Sequence, residues 1–341
     1  DSHMQSIVRA VATETEVSEG QYLSIVMADI ASVKVVPETL DEALSGGSLE
    51  DVEVLMPFIH STVGREQMEA MPNLRFIATR STGYDHVDLE AAAERGIPVA
   101  NVPAYGENTV AEHTFALILA LSRKVHHAWV RTQRGEYTME GLRGFDLYGK
   151  TIGVIGAGAI GLHVIRIAKG FGMKVLAFDV NRNQLLADVL DFSYADLDEL
   201  LENSDIVTLH APAIPATHHL INKDTLSQMK RTALLINTAR GSLVDTAALA
   251  EALDADQIGG AGLDVFEGEE LMQHEDELLQ QADAEGKLKL IVRAHRLQRR
   301  PDVVITPHIG FNSEEALRRI LDTTAENVRS FLEGDPSNLV G

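Results

Sequence analysis

Cysteine is absent from the 341 residues, which excludes disulfides, zinc-thiolate centres and a thiol nucleophile. No apolar run approaches the ~20 residues that a membrane-spanning helix needs. The first residues also lack the basic and then apolar pattern of a secretory signal. Positive charge is scarce: 29 Lys and Arg stand against 51 Asp and Glu, a formal charge of −22. Nucleic acid phosphates and anionic membrane surfaces are therefore repelled. These absences lead to the expectation of a cytoplasmic protein that binds neither nucleic acid nor membrane. The acidic excess itself reads as a source of solubility. Asp1-Ser2-His3-Met4 reads as a vector-derived start ahead of a natural Met4, and His3 is assigned no chemistry.

What is present is ordinary for a globular protein, 45% apolar and 23% charged. At ~150 residues per domain the length fits two domains with a cleft between them. Short β-rich runs at 52–59, 74–79, 97–101, 151–155, 174–179, 205–210, 233–237 and 303–306 alternate with helical patterns. That alternation predicts an α/β protein with two doubly wound, Rossmann- or flavodoxin-like domains and parallel sheets. Ile160, Val164, Ile167, Ala168 and Phe171 recur at three- and four-residue steps, the stripe of a helix lying on a sheet. Residues 108–125 are apolar nearly all round, which predicts a helix buried between elements or between subunits. The glycine fingerprint begins well inside the chain. The expected division is therefore a cofactor domain over 108–307 and a discontinuous substrate domain over 5–107 and 308–341. Residues 271–300 break the rhythm, with Glu275, Asp276, Glu277, Asp283 and Glu285 followed by Arg293, Arg296, Arg299 and Arg300. They read as a solvated helical insertion whose opposite charges pair locally.

The chemistry begins where run 151–155 enters Gly156-Ala157-Gly158-Ala159-Ile160-Gly161. The first glycine permits the tight turn, the second admits a pyrophosphate, and the third lets helix meet strand. A following strand ends in Asp179, eighteen residues beyond Gly161. A carboxylate there accepts from ribose hydroxyls and repels a 2′-phosphate, so NAD is expected rather than NADP, with Arg182 nearby as a complication. Asn237-Thr238-Ala239-Arg240-Gly241 places Arg240 at a strand's C-terminal end, where its guanidinium is able to grip a carboxylate with two parallel hydrogen bonds. The run from Gly260 through Asp264 brings Glu267, Glu269 and Glu270 to the end of another buried strand, and Thr306-Pro307-His308 ends the next with a histidine. A histidine titrates near neutrality, and a carboxylate on its far nitrogen fixes the tautomer for proton transfer.

Together these motifs resemble the D-isomer-specific 2-hydroxyacid dehydrogenase family over about residues 24–339. The resemblance implies that Arg240 orients the substrate, that His308 is the general acid and base, and that Glu269, by its spacing from Asp264 and Arg240, pairs with His308. It implies NAD as cofactor, with Thr238, Ala239 and Asp264 beside the nicotinamide and His210-Ala211-Pro212 lining the cofactor cleft. Arg80-Ser81-Thr82-Gly83-Tyr84-Asp85 is similar to the family's loop whose N–H groups hold the substrate carboxylate, so Ser81, Thr82 and Gly83 are candidates there. Tyr105, after Asn101-Val102-Pro103-Ala104, points to the D-lactate dehydrogenase branch, and Phe311 adds an apolar wall. A homodimer is also implied.

The expected activity is NAD-dependent reduction of a small 2-keto acid, with pyruvate to D-lactate first. A hydroxypyruvate, glyoxylate or branched-chain 2-keto acid reductase is the runner-up, and an NAD-sensing co-repressor-like binding protein stands further off. The pairs His126-His127 and His218-His219 invite a metal reading, but adjacent side chains point apart on a helix or strand, so no metal is expected.

Overall fold

The computed structural model describes residues 7–273 and 285–341. Glu275, Asp276, Glu277 and Asp283 lie outside the described residues. The chain forms two units, one ending at Tyr105 and resuming over Ser313–Gly341, the other spanning Gly106–Asn312.

In the first unit the elements run β1 (Val8–Ala12), α1 (Val17–Val26), β2 (Ala31–Val35), α2 (Leu40–Gly46), β3 (Val54–Met56), α3 (Arg65–Glu69), β4 (Phe76–Ala78), α4 (Leu89–Glu94) and β5 (Val99–Ala100). The strand order is 2-1-3-4-5, all parallel, with a two-residue strand Leu339–Val340 added antiparallel beyond β5. Side chains alternate faces along each strand. Val8, Ala10 and Ala12 of β1 join Phe76 and Ala78 in one apolar cluster, while Val11 and Ile77 join another on the opposite face. Phe76 is fully buried and stacks on Phe331 at 4.2 Å.

The second unit opens with α5 (Glu107–Arg123) and α6 (Val125–Gln133). It continues through β6 (Thr151–Ile155), α7 (Ala159–Gly170), β7 (Lys174–Phe178), α8 (Gln184–Leu190), β8 (Ser193–Tyr194), α9 (Leu197–Asn203) and β9 (Ile206–Leu209). It closes with α10 (Lys223–Gln228), β10 (Leu234–Asn237), α11 (Thr246–Asp254), β11 (Gly260–Leu263), α12 (Glu285–Gln298) and β12 (Val303–Ile305). Among the described residues its seven strands are parallel in the order 12-11-10-9-6-7-8. Strands 9 and 10 are buried along their whole length, and β6 at all but its first residue, because helices cover both faces. α5 packs on this sheet with α7, burying Ala111, Phe115, Leu117, Ile118 and Leu121, while Ala116 stays exposed. The exposed positions of the helix are Asn108, Glu112, Ala116 and Arg123, so its outer side is a mostly polar stripe.

Three details differ from the reading of the sequence. The second crossing between units falls after Asn312, so His308 and Phe311 belong to the cofactor unit. The physical reason is that the backbone after β12 is hydrogen-bonded to Asp264. The short runs of β1 and β2 escape notice because each mixes apolar with charged or small residues and gains its stability from strand neighbours. In α12, Glu285 does pair with Lys289 at 2.7 Å, but Arg296 and Arg300 also reach out of the segment to Asp254 of α11, and Arg300 to Asp302.

Phe76→Ala removes a fully buried ring and its stacking partner contact. It should cost about 3–5 kcal/mol, read as a lower denaturant midpoint with an unchanged slope.

Candidate active site

Parallel sheets bind ligands beyond the C-terminal ends of their strands, at the point where strand order reverses. In the second unit that point lies between β6 and β9. Gly156 ends β6 with φ +94°, and a Cβ there would lie 2.5 Å from the carbonyl oxygen of His210 at the end of β9. A Cβ on Gly161 would lie closer still to the Gly156 carbonyl oxygen. Gly158 differs, for an added Cβ there meets no protein atom within 4 Å. α7 starts at Ala159 with Gly158 as its N-cap and no side-chain cap, so its first N–H groups face outward for an anion.

Asp179, just past β7, accepts from the N–H of Ala157 and of Asn181, both at 2.8 Å, and thereby ties the glycine turn to its own strand. Arg182 is turned away from it, bonded to Asp196 at 2.9 Å and stacked over Tyr194. His210 is half-buried and hydrogen-bonded to Thr208 at 2.8 Å; burial pushes its imidazole down from 6.5 to about 3, so it is neutral near pH 7. Ala211 is half-buried beside it and Pro212 is exposed.

The ends of β10, β11 and β12 carry the titratable groups. Buried Asn237 shapes the turn after β10, accepting from Ala239 N–H at 3.0 Å and donating to the Arg240 carbonyl at 2.9 Å. Arg240 donates to the Ala239 carbonyl at 2.8 Å. Thr238 is buried with its hydroxyl on Thr114 at 2.9 Å. After β11, Asp264 is 1% exposed. Its carboxylate accepts from Thr306 Oγ1 at 2.6 Å, Ile309 N–H at 2.9 Å and Gly310 N–H at 2.8 Å, with His113 Nε2 at 3.3 Å. Burial alone would raise its pKa, but the hydrogen bonds from His113, Thr306, Ile309 and Gly310 outweigh it and hold the carboxyl below its usual range.

The same bonds hold His308 with φ +53°, a left-handed conformation that a non-glycine residue adopts at a cost. From there its Nδ1 meets Glu269 Oε1 at 2.8 Å, and Glu269 Oε2 accepts from Phe266 N–H at 3.2 Å. Glu267 points elsewhere, to His219 Nε2 at 2.6 Å and the Thr246 N–H at 2.9 Å. The choice among three glutamates, open from the residues alone, thus falls on Glu269 by contact. His113, which no local pattern marks, joins through α5.

In the first unit, buried Ser81 bonds Thr79 and the Gly83 carbonyl, and Thr82 Oγ1 bonds the Val102 carbonyl at 2.7 Å. Among the described residues no acceptor takes the N–H of Thr82 or Gly83. Tyr105 accepts from Arg319 through its carbonyl, and Phe311, of the second unit, is half-buried. The histidine pairs do not splay apart: their rings lie 3.9 Å and 4.0 Å from each other. His219 has a positive φ, which breaks the regular alternation there, whereas His126 and His127 are consecutive residues of α6. No group of three metal-ligating side chains occurs among the described residues, and no helix among them is long and apolar enough to cross a membrane.

The family model described as D-isomer specific 2-hydroxyacid dehydrogenase, NAD binding domain, matches residues 115–310. The chain belongs to this family. It is similar to a 2-hydroxyacid dehydrogenase homolog of Haemophilus influenzae, 41% identical over 84% of each chain. It is also similar to a D-lactate dehydrogenase of Escherichia coli, 38% identical over 84% of this chain and 86% of that one. Among solved structures, a D-lactate dehydrogenase from Aquifex aeolicus complexed with NAD and lactic acid superposes with a TM-score of 0.82 at 34% identity, covering 96% of both chains. This dehydrogenase is accordingly an NAD-dependent oxidoreductase. Its residues fit the cofactor: the room at Gly158 and the outward N–H groups of α7 suit a pyrophosphate, and Asp179 suits ribose hydroxyls.

Gly158→Ala should leave the melting temperature nearly unchanged while weakening NADH binding by about tenfold, because the added Cβ meets no protein atom within 4 Å and occupies space a pyrophosphate would need; fluorescence titration beside a thermal scan checks both. The depressed His210 pKa has a definite sign. Between 6.5 and about 3 the unfolded chain binds the proton and the folded one does not, so stability falls as pH falls through that window. His210→Gln, measured by denaturant titration at several pH values, should flatten this acid limb.

Proposed function

We propose that this dehydrogenase reduces pyruvate to D-lactate, with the reverse oxidation available under the opposite gradient. The observation that carries the reading is the 2.8 Å contact of His308 Nδ1 with Glu269 Oε1, at strand ends adjoining the Arg240 turn. The likeness to D-lactate dehydrogenases of Escherichia coli and Aquifex aeolicus supports pyruvate as the keto acid, as does Tyr105 in its Asn-Val-Pro-Ala-Tyr setting.

NADH, when bound, supplies the hydride to the keto carbon, so that NADH, one proton and pyruvate give NAD+ and D-lactate. The chain's own residues do the rest. Glu269 accepts from Nδ1 of His308, which leaves Nε2 as the nitrogen that delivers the proton to the keto oxygen. Arg240 offers a planar fork of donors for the carboxylate and the developing alkoxide. Asp264 keeps the His308 turn in place. The first unit is read as the substrate domain, with the N–H groups of Thr82 and Gly83 as carboxylate donors. A cytoplasmic homodimer completes the reading, with the exposed Val125, Trp129, Tyr137 and Met139 as apolar surface for the second copy.

His308→Ala should lower kcat by at least about 100-fold with NADH affinity nearly unchanged; unaltered turnover would overturn the assignment. NADH oxidation with pyruvate, hydroxypyruvate, glyoxylate and 2-ketoisocaproate side by side tests the substrate. Preference for pyruvate is expected, preference for another member moves the chain to the corresponding reductase, and no turnover with any of them favours an NAD-sensing binding protein.

A further inference from the structure

His219 lies outside the Arg240, Glu269 and His308 set, yet it joins three loops that leave adjacent strands. It sits in the loop after β9 with φ +50°, and its N–H donates to the Ser242 carbonyl in the loop after β10 at 2.8 Å. Its Nε2 meets Glu267 Oε1, in the loop after β11, at 2.6 Å. The other oxygen of Glu267 accepts from Thr246 N–H at 2.9 Å, at the first residue of α11, which closes the link back to the loop after β10. Ile221 and Asp245 reinforce the same joint through the Leu243 and Ile221 carbonyls. The loops touch directly as well, since a Cβ on Gly241 would lie 2.5 Å from the Phe266 carbonyl carbon. Around the ring stand Asp245, 4.0 Å from Nδ1, and the stacked ring of His218.

Gly241 adjoins Arg240, and Glu267 is two residues before Glu269. The link therefore binds the turn that carries Arg240 to the turn that carries the partner of His308. We propose that His219 and Glu267 are positioning residues that hold Arg240 in register with the Glu269–His308 pair. The proposal rests on the roles given to those three residues above. Displacing a substrate-gripping group by ~1 Å costs up to ~100-fold in rate, whereas the phosphate cradle at Gly156 to Gly161 exchanges no hydrogen bond with His219 or Glu267.

The test measures kcat and KM for pyruvate, and separately the Kd for NADH by fluorescence, in His219→Ala and His219→Gln, alone and on Arg240→Lys. The expectation for His219→Ala is a loss of ~10- to 100-fold in kcat/KM with NADH Kd within about twofold. His219→Gln, which keeps a donor for Glu267, should recover most of it. On Arg240→Lys the same change should add little, since it acts through Arg240. Glu267→Gln, which retains an acceptor for Thr246, should reproduce the pattern and serves if His219→Ala does not fold. An unchanged kcat/KM in His219→Ala beside a crippled Arg240→Lys overturns the positioning role alone, as does a loss equally large on Arg240→Lys. An active Arg240→Lys with full kcat/KM overturns the underlying reading instead.

Discussion

A buried carboxylate governs the geometry of this site. Asp264 is nearly sealed from solvent, and a charge in that position survives only when donors surround it. His113 from α5, Thr306 from the end of β12, and two consecutive backbone N–H groups at Ile309 and Gly310 supply them. Each donor is drawn toward the end of β11, and the backbone between Thr306 and Gly310 has little freedom left. His308 occupies that stretch in a left-handed conformation that is unfavourable for its residue type, and the surrounding bonds hold it there. Removing the carboxylate would leave several buried donors without partners, which costs more than the bonds themselves contribute.

The neighbouring loops divide their carboxylates by the same logic of complete partnering. Glu267 and Glu269 lie two residues apart, yet one faces His219 and Thr246 while the other faces His308 and Phe266. Each has an imidazole and a backbone N–H. The two glutamates are thus not interchangeable, because each satisfies a different set of orphan donors. Asp179 repeats the pattern at the cofactor end, where its two oxygens hold the glycine turn and the Asn181 N–H. Its acceptor lone pairs outnumber those two donors, which is what a ribose diol needs.

The sheet makes these loops neighbours. Strands 12, 11, 10 and 9 are adjacent and parallel, so their C-terminal ends stand in one row and every loop in that row meets the next. The order reverses between β9 and β6, and the glycine turn opens at that break. Cofactor cradle and proton-transfer pair are both consequences of where strands end.

By itself the sequence determined the parts that local physics writes. These were the glycine turn between a strand and a helix, the acidic end of β7, the apolar strands of the second unit, and the residue types at their ends. Each depends on neighbours a few residues away. Only the tertiary structure decided that Glu267 turns to His219 and Thr246, that Arg182 turns to Asp196, that His113 reaches Asp264, and that the crossing between units falls after Asn312. Those outcomes depend on donors and acceptors brought together from segments far apart in the chain, and hydrogen-bond partnering across loops leaves no periodicity for a sequence to display.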